Sequence, residues 1–141
     1  MPIRKAEATW EGGLKKGKGT MKLGSGAFEG PFSFASRFED GKGTNPEELI
    51  GAAHAGCFSM AFAFGLEQAG FSPERVYTKA KVHIDKVGDG FKITVIELDA
   101  EGKVYGIDQK KFLEIAEATK KGCPVSQALA GTEIRLTAKL L

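Results

Sequence analysis

Apolar and polar residues alternate in short runs over the first third of the chain, change period in the middle, and alternate again afterwards. Residues 3–10, from Ile3 to Trp10, alternate in part. Gly19 to Leu23 and Phe28 to Phe38 repeat the pattern between glycines, which predicts strands of an antiparallel meander. At Thr44-Asn45-Pro46-Glu47-Glu48 the signals become those of a helix start. Asn45 is the N-cap, Pro46 takes the first helical position, and Glu48 stands three residues after the cap. The helix is predicted to run to about Ala69, with Gly70 as its stop. It is apolar nearly all round, which predicts burial on most sides. Gly51, Ala52, Ala53, Ala55 and Gly56 leave room for another backbone to approach.

Beyond it, Val76 to Asp85 alternates, and the turn Gly88-Asp89-Gly90 leads into Phe91 to Leu98 as a hairpin partner. Asp108 reads as the N-cap of a second helix, with Ile107 and Phe112 placed for a hydrophobic staple. Phe112, Ile115, Ala116 and Thr119 form its apolar stripe, and Gly122 ends it. A short third helix is expected over residues 124–130 and a last strand over Glu133 to Leu141. The predicted class is α+β, with antiparallel sheets around a long buried central helix and a second, amphipathic helix, in one domain over residues 1–141.

Composition narrows the function classes. At 141 residues and 42% hydrophobic content the chain is large enough to bury a core without a disulfide. Twenty Lys and Arg against 18 Asp and Glu leave a net charge of +2, so no nucleic-acid partner is expected. The cluster Lys15-Lys16-Gly17-Lys18 reads as a solvated turn. The N-terminus has charge but no apolar core of a secretory signal. Leu49 to Leu66 is uncharged and long enough to raise a membrane question. It is rich in Gly and Ala, carries His54 and Ser59, and follows two glutamates rather than basic flanks, so a core helix, no membrane and a cytoplasmic location are expected.

Two cysteines in a reducing compartment leave inert thiols, a metal site or redox chemistry. Cys57 lies in mid-helix among apolar residues, which raises a thiol pKa. Cys123, in Gly122-Cys123-Pro124-Val125-Ser126-Gln127, falls between one helix end and the start of the next, where amides and the dipole favour a thiolate. By local context Cys123 is the more acidic, and nothing in the spacing of 66 positions brings the two together. His54 and Cys57 share one helical face, and Cys123 or His83 would have to complete a metal set. The helix offers neither C-x-x-C nor a second His, so no metal and no cofactor are expected. His54 reads instead as a buried, hydrogen-bonded or interface histidine.

The stretch Thr44-Asn45-Pro46-Glu47-Glu48 through His54-Ala55-Gly56-Cys57-Phe58-Ser59-Met60, with Gly122-Cys123-Pro124-Val125-Ser126-Gln127 downstream, resembles the osmotically inducible protein C family, relatives of the organic hydroperoxide resistance proteins. The likeness covers nearly the whole chain from Trp10-Glu11-Gly12 onward. It implies a thiol peroxidase that reduces organic hydroperoxides, with Cys57 peroxidatic and Cys123 resolving, recycled by an external dithiol, a lipoyl protein being the family's suggestion. It implies an arginine and glutamate pair holding the reactive thiolate, matched here by Arg37 and Glu47. The hydroperoxide-resistance branch instead carries an arginine in the glycine-rich first hairpin, where this chain has lysines only, so the osmotically inducible branch is favoured. It also implies an intertwined homodimer with active sites at the subunit interface.

These residue types suit that chemistry. A thiol of ordinary pKa is only about 3% ionised at neutral pH, and a guanidinium beside it favours the anion. The same cation polarises the peroxide and stabilises the departing alkoxide. The resulting Cys57 sulfenic acid condenses with Cys123 to a disulfide. Glu47 and Cys57, ten positions apart on one helix, are about 15 Å apart along its axis and roughly 80° around it. Unless Arg37 spans much of that gap, the intertwined homodimer that the resemblance implies offers a route by which Arg37 and Glu47 act on the Cys57 of a partner chain, which is the expectation here. Of the aromatic residues, Phe38 and Phe58 are the first candidates for a peroxide-binding surface. The competing reading is a non-catalytic module that binds a hydrophobic acyl ligand, which would tolerate loss of both cysteines.

Overall fold

The computed structural model describes residues 1–141 and divides into two compact units, Met1–Leu49 and Ile50–Leu141. The first holds β1 (Ala6–Glu11), β2 (Lys18–Leu23) and β3 (Glu29–Phe32), an antiparallel sheet in the order β1-β2-β3. Gly19 on β2 lies under Trp10 and Phe32, whose rings are 5.2 Å apart. An added Cβ there would come within 2.5 Å of the Phe32 ring, so only glycine fits.

The run expected as strand from Phe28 to Phe38 ends at Phe32, and Phe34–Phe38 is a short helix, α1. Ser33 explains the break. Its hydroxyl accepts from the Ser36 amide at 3.0 Å, while Ser36 Oγ accepts from the Ser33 amide at 2.9 Å. This reciprocal cap favours a helical turn over continued pleating. α2 (Pro46–Gln68) then begins as expected, with the Glu48 amide donating to Asn45 Oδ1 at 2.7 Å. Asn45 Nδ2 also donates to Ser36 O at 3.0 Å, and Ser36 Oγ donates to Thr44 O at 2.7 Å. These bonds tie α1 to the first turn of α2.

The second unit contains the rest of α2, the long hairpin β4 (Pro73–Val87) and β5 (Gly90–Val104), α3 (Gln109–Gly122), α4 (Pro124–Ala128) and β6 (Glu133–Leu140). Both hairpin strands outrun the expected lengths. β6 joins β5 in parallel, because the α3–α4 crossover returns the chain in the same direction. Asp108 caps α3 by accepting from the Lys111 amide at 2.8 Å. Phe58, Phe62 and Leu66 of α2, Ile96 and Leu98 of β5, and Phe112 of α3 are wholly buried together. Each such side chain contributes roughly 1.5–3 kcal/mol of burial energy.

α2 is buried along one face rather than on most sides. Ala52, Ala53, Gly56, Met60 and Phe64 form an exposed stripe at helical spacing, with Met60 79% and Phe64 61% exposed. A single chain has one core for one face, so the second apolar face of a helix that is apolar all round stays uncovered. By length and composition α2 is also long and apolar enough to cross a membrane.

Candidate active site

Two clusters of candidate residues form, one in each unit. In the first, Arg37 at the end of α1 faces Glu47 in the first turn of α2. Arg37 Nε donates to Glu47 Oε1 and Arg37 Nη2 to Oε2, both at 3.1 Å. The capping network between Ser33, Ser36 and Asn45 brings the two elements into this register. The pair is a two-pronged, charge-assisted contact. Glu47 is only 8% exposed, and Arg37, at 38%, keeps part of its guanidinium free for a further partner. The Phe38 ring lies 5.2 Å from the Arg37 guanidinium carbon and 5.0 Å from the Phe34 ring. Phe38 therefore stands beside the cation.

In the second unit, Cys57 Sγ and Cys123 Sγ are 2.8 Å apart, and both thiols are free. Cys57 comes from the middle of α2. Cys123 is delivered by the junction where α3 ends and α4 begins with Pro124. A separation of 66 positions thus closes to contact, which neither local signal revealed. Burial pushes the Cys57 thiol above its ordinary pKa, and the hydrogen bond to Cys123 raises it further, against a lowering contribution from the Val125 amide. No basic side chain is among these causes. Burial also works against ionising Cys123. The neighbouring Cys57 sulfur, the Ser126 amide and hydroxyl and the Val125 amide favour its anion and outweigh burial, so its pKa is lowered. These amides do not close a full N-cap bond to the sulfur, but their partial positive charge favours the anion. Of the two, Cys57 is shifted up and Cys123 down, in keeping with the sequence expectation that Cys123 is the more acidic.

The Phe58 ring has no exposed surface and packs 5.6 Å from the Phe62 ring in the core. The residue after Cys57 on a helix faces about 100° away from it, here into the core. An open groove of about 480 Å³ between α2 and α3 has Cys123 in its lining, with Ala61, Phe64, Gly65 and Ile115.

His54 is wholly buried, as expected, and its Nε2 lies 2.7 Å from Ser126 Oγ. Sequence reading missed Ser126 as a member of this cluster. The signal was its place three residues after Cys123 in the first turn of a helix, where side chain and amide both turn back toward the cap. Burial lowers the His54 pKa from its ordinary 6.5. The folded chain therefore resists protonation that the unfolded chain accepts. The stability this gives is fully present above about pH 6.5 and is lost as pH falls below it, at no more than about 1.4 kcal/mol per pH unit. Urea unfolding across pH 7 to 5 is expected to show a steeper acid decline for the unmutated chain than for His54→Gln.

The profile of the family described as OsmC-like protein matches residues 39–139. Peroxiredoxin OsmC of Escherichia coli (strain K12) is 54% identical over 127 residues, covering 89% of each chain. An organic hydroperoxide resistance protein of Xanthomonas axonopodis pv. citri is 33% identical over 99 residues, covering 69% of this chain and 68% of its own length. Among solved structures, an organic hydroperoxide resistance protein from Elizabethkingia anophelis matches with a TM-score of 0.76 and 25% identity over 99% of both chains.

Proposed function

The chain belongs to the OsmC-like protein family, and on that premise we propose that it is a thiol peroxidase that reduces organic hydroperoxides to alcohols. The observation that carries this reading is the contact of 2.8 Å between two free thiols contributed by distant parts of the chain. Cys57 Sγ attacks one peroxide oxygen, the O–O bond breaks, and the alkoxide leaves as the alcohol after taking a proton. The Cys57 sulfenic acid then condenses with Cys123, releasing water and forming the disulfide. An external dithiol, a lipoyl protein being one source, reduces the disulfide and completes the cycle. No cofactor is needed for these steps.

The reading assigns Arg37 and Glu47 to the ionisation of Cys57. Within one chain burial and the contact with Cys123 raise the Cys57 pKa, so the peroxidatic sulfur needs a cation beside it to ionise. Arg37 is held rigidly by Glu47 and keeps an exposed edge, which suits it to reach the Cys57 of a second chain. Phe38, at the same guanidinium, would face the organic part of the substrate. The uncovered stripe of Ala52, Ala53, Gly56, Met60 and Phe64 offers a surface for a homodimer, and its small residues allow close approach. The two units would then act as one functional domain. Such packing would also cover the long apolar helix, in keeping with a soluble protein that we place in the cytoplasm.

Consumption of cumene hydroperoxide by the purified chain with dihydrolipoamide tests the activity. Turnover with the dithiol supports the reading, and a rate equal to the dithiol alone removes it. For the dimer, Met60→Glu places a charge in the stripe and is expected to shift the sedimentation coefficient from dimer to monomer. Peroxidase turnover should fall in parallel. A variant that stays dimeric and active would contradict the role given to this face.

A further inference from the structure

His54 lies one helical turn before Cys57, wholly buried, with Nε2 at 2.7 Å from Ser126 Oγ, 72 positions further on. Its Nδ1 has no hydrogen-bond partner. Ser126 is buried as well, three residues after the buried Cys123 in the first turn of α4, and its amide and hydroxyl are among the causes that lower the Cys123 pKa.

Together these contacts fix the direction of the proton chain. A serine hydroxyl has one hydrogen to give. If it goes to His54, the imidazole proton must sit on Nδ1, where it is a buried donor without an acceptor. That is the rarer and costlier kind of orphan. If it goes to Cys123, Ser126 Oγ accepts from His54 Nε2–H, and Nδ1 is left as a bare acceptor. Both arrangements keep the imidazole neutral, as burial favours, so the orphaned Nδ1 decides between them. The other titratable groups on this side are Cys57 of α2 and, along the groove that Cys123 helps to line, Lys111 and Glu114 of α3.

We propose that His54 is a positioning residue for the resolving thiol: as the neutral Nε2–H tautomer it holds the Ser126 hydroxyl aimed at Cys123 Sγ, which poises the Cys123 thiolate to close the disulfide. This assignment rests on the peroxidase reading. In the step it serves, the Cys123 thiolate gives an electron pair to the Cys57 sulfenic sulfur. The S–S bond forms, the S–O bond breaks, and the departing hydroxide takes up the proton that Cys123 had lost, leaving as water. No outside oxidant or reductant takes part. When a dithiol later attacks Cys57, the same hydrogen bond stabilises Cys123 as the leaving thiolate.

Rapid mixing of the full chain with cumene hydroperoxide, read by dimedone trapping and mass spectrometry, separates sulfenic acid formation from disulfide closure. His54→Leu and Ser126→Ala are each expected to slow closure, relative to sulfenic acid formation, by about tenfold or more, as loss of a hydrogen bond to an ionised group implies. His54→Gln keeps an amide donor near the Nε2 position and is expected to restore closure to within about threefold of the parent. Ultraviolet thiolate absorbance of the reduced chains should follow the same order. A folded His54→Leu or Ser126→Ala that closes as fast as the parent overturns the assignment, as does a His54→Gln as slow as His54→Leu. Absence of any sulfenic acid in the unmutated chain strikes the peroxidase reading instead. In that case the thiolate absorbance still decides whether His54 and Ser126 hold Cys123 ionised.

Discussion

Cys57→Ser is expected to lower organic hydroperoxide turnover by about three orders of magnitude or more, the scale on which loss of a catalytic nucleophile acts. A serine hydroxyl at this position is neither ionised near neutral pH nor able to carry a sulfenic acid. Cys123→Ser should behave differently. It keeps the attacking sulfur, so one equivalent of peroxide is consumed rapidly and sulfenic acid accumulates on Cys57. Turnover with a dithiol then falls to the rate at which the reductant reaches that sulfenic acid directly. The two variants thus separate the roles, and stopped-flow consumption of cumene hydroperoxide reads both. Equal loss of the single-turnover burst in both would contradict the assignment of Cys57 as the attacking thiol. Full activity in both would favour a binding module that uses neither sulfur.

The second large effect is expected at the ion pair. Arg37→Ala should cost roughly a hundred- to a thousandfold in kcat/KM, the range for removing one preorganised charge-stabilising donor. Arg37→Lys should recover only part of this, because lysine keeps the charge but not the planar fork that binds both Glu47 oxygens. Glu47→Gln should weaken the grip and lower activity less than Arg37→Ala. Glu47 is buried, so Arg37→Ala also leaves a carboxylate without its partner. Thermal melts therefore accompany the kinetics, and activity is compared at a temperature where every variant is folded. Mixing Cys57→Ser and Arg37→Ala chains tests action across subunits. Recovery of activity in the mixed species is expected, and no recovery in any mixture would contradict it.

Much of this architecture was legible in the residues. Asn45, Pro46 and Glu48 announced the start of α2, and Asp108 that of α3, because caps act through bonds within three or four positions. Phe112, Ala116 and Thr119 announced the buried face of α3. The break after Phe32 was hidden, since an alternating pattern of phenylalanines does not reveal that Ser33 and Ser36 will cap each other. The parallel pairing of β6 was also hidden, because alternation gives a strand's faces and not its direction.

At the site, local context identified Cys123 as the more acidic thiol, and the family resemblance paired Arg37 with Glu47 and Cys57 with Cys123. Composition and spacing alone supplied neither pairing. Ser126 escaped notice because its importance comes from His54, 72 positions away, and such contacts exist only once the chain has folded. The burial of Phe58 was hidden for a related reason, since a residue adjacent to Cys57 in sequence faces about 100° away from it on a helix.

The most direct test counts thiols in the reduced chain before and after one equivalent of an organic hydroperoxide, with intact mass as the second reading. Loss of both thiols, a mass lower by the two hydrogens of a disulfide, and no such loss in Cys57→Ser are the expected results. Two thiols that persist at unchanged mass, with the peroxide unconsumed, would contradict the account at its centre.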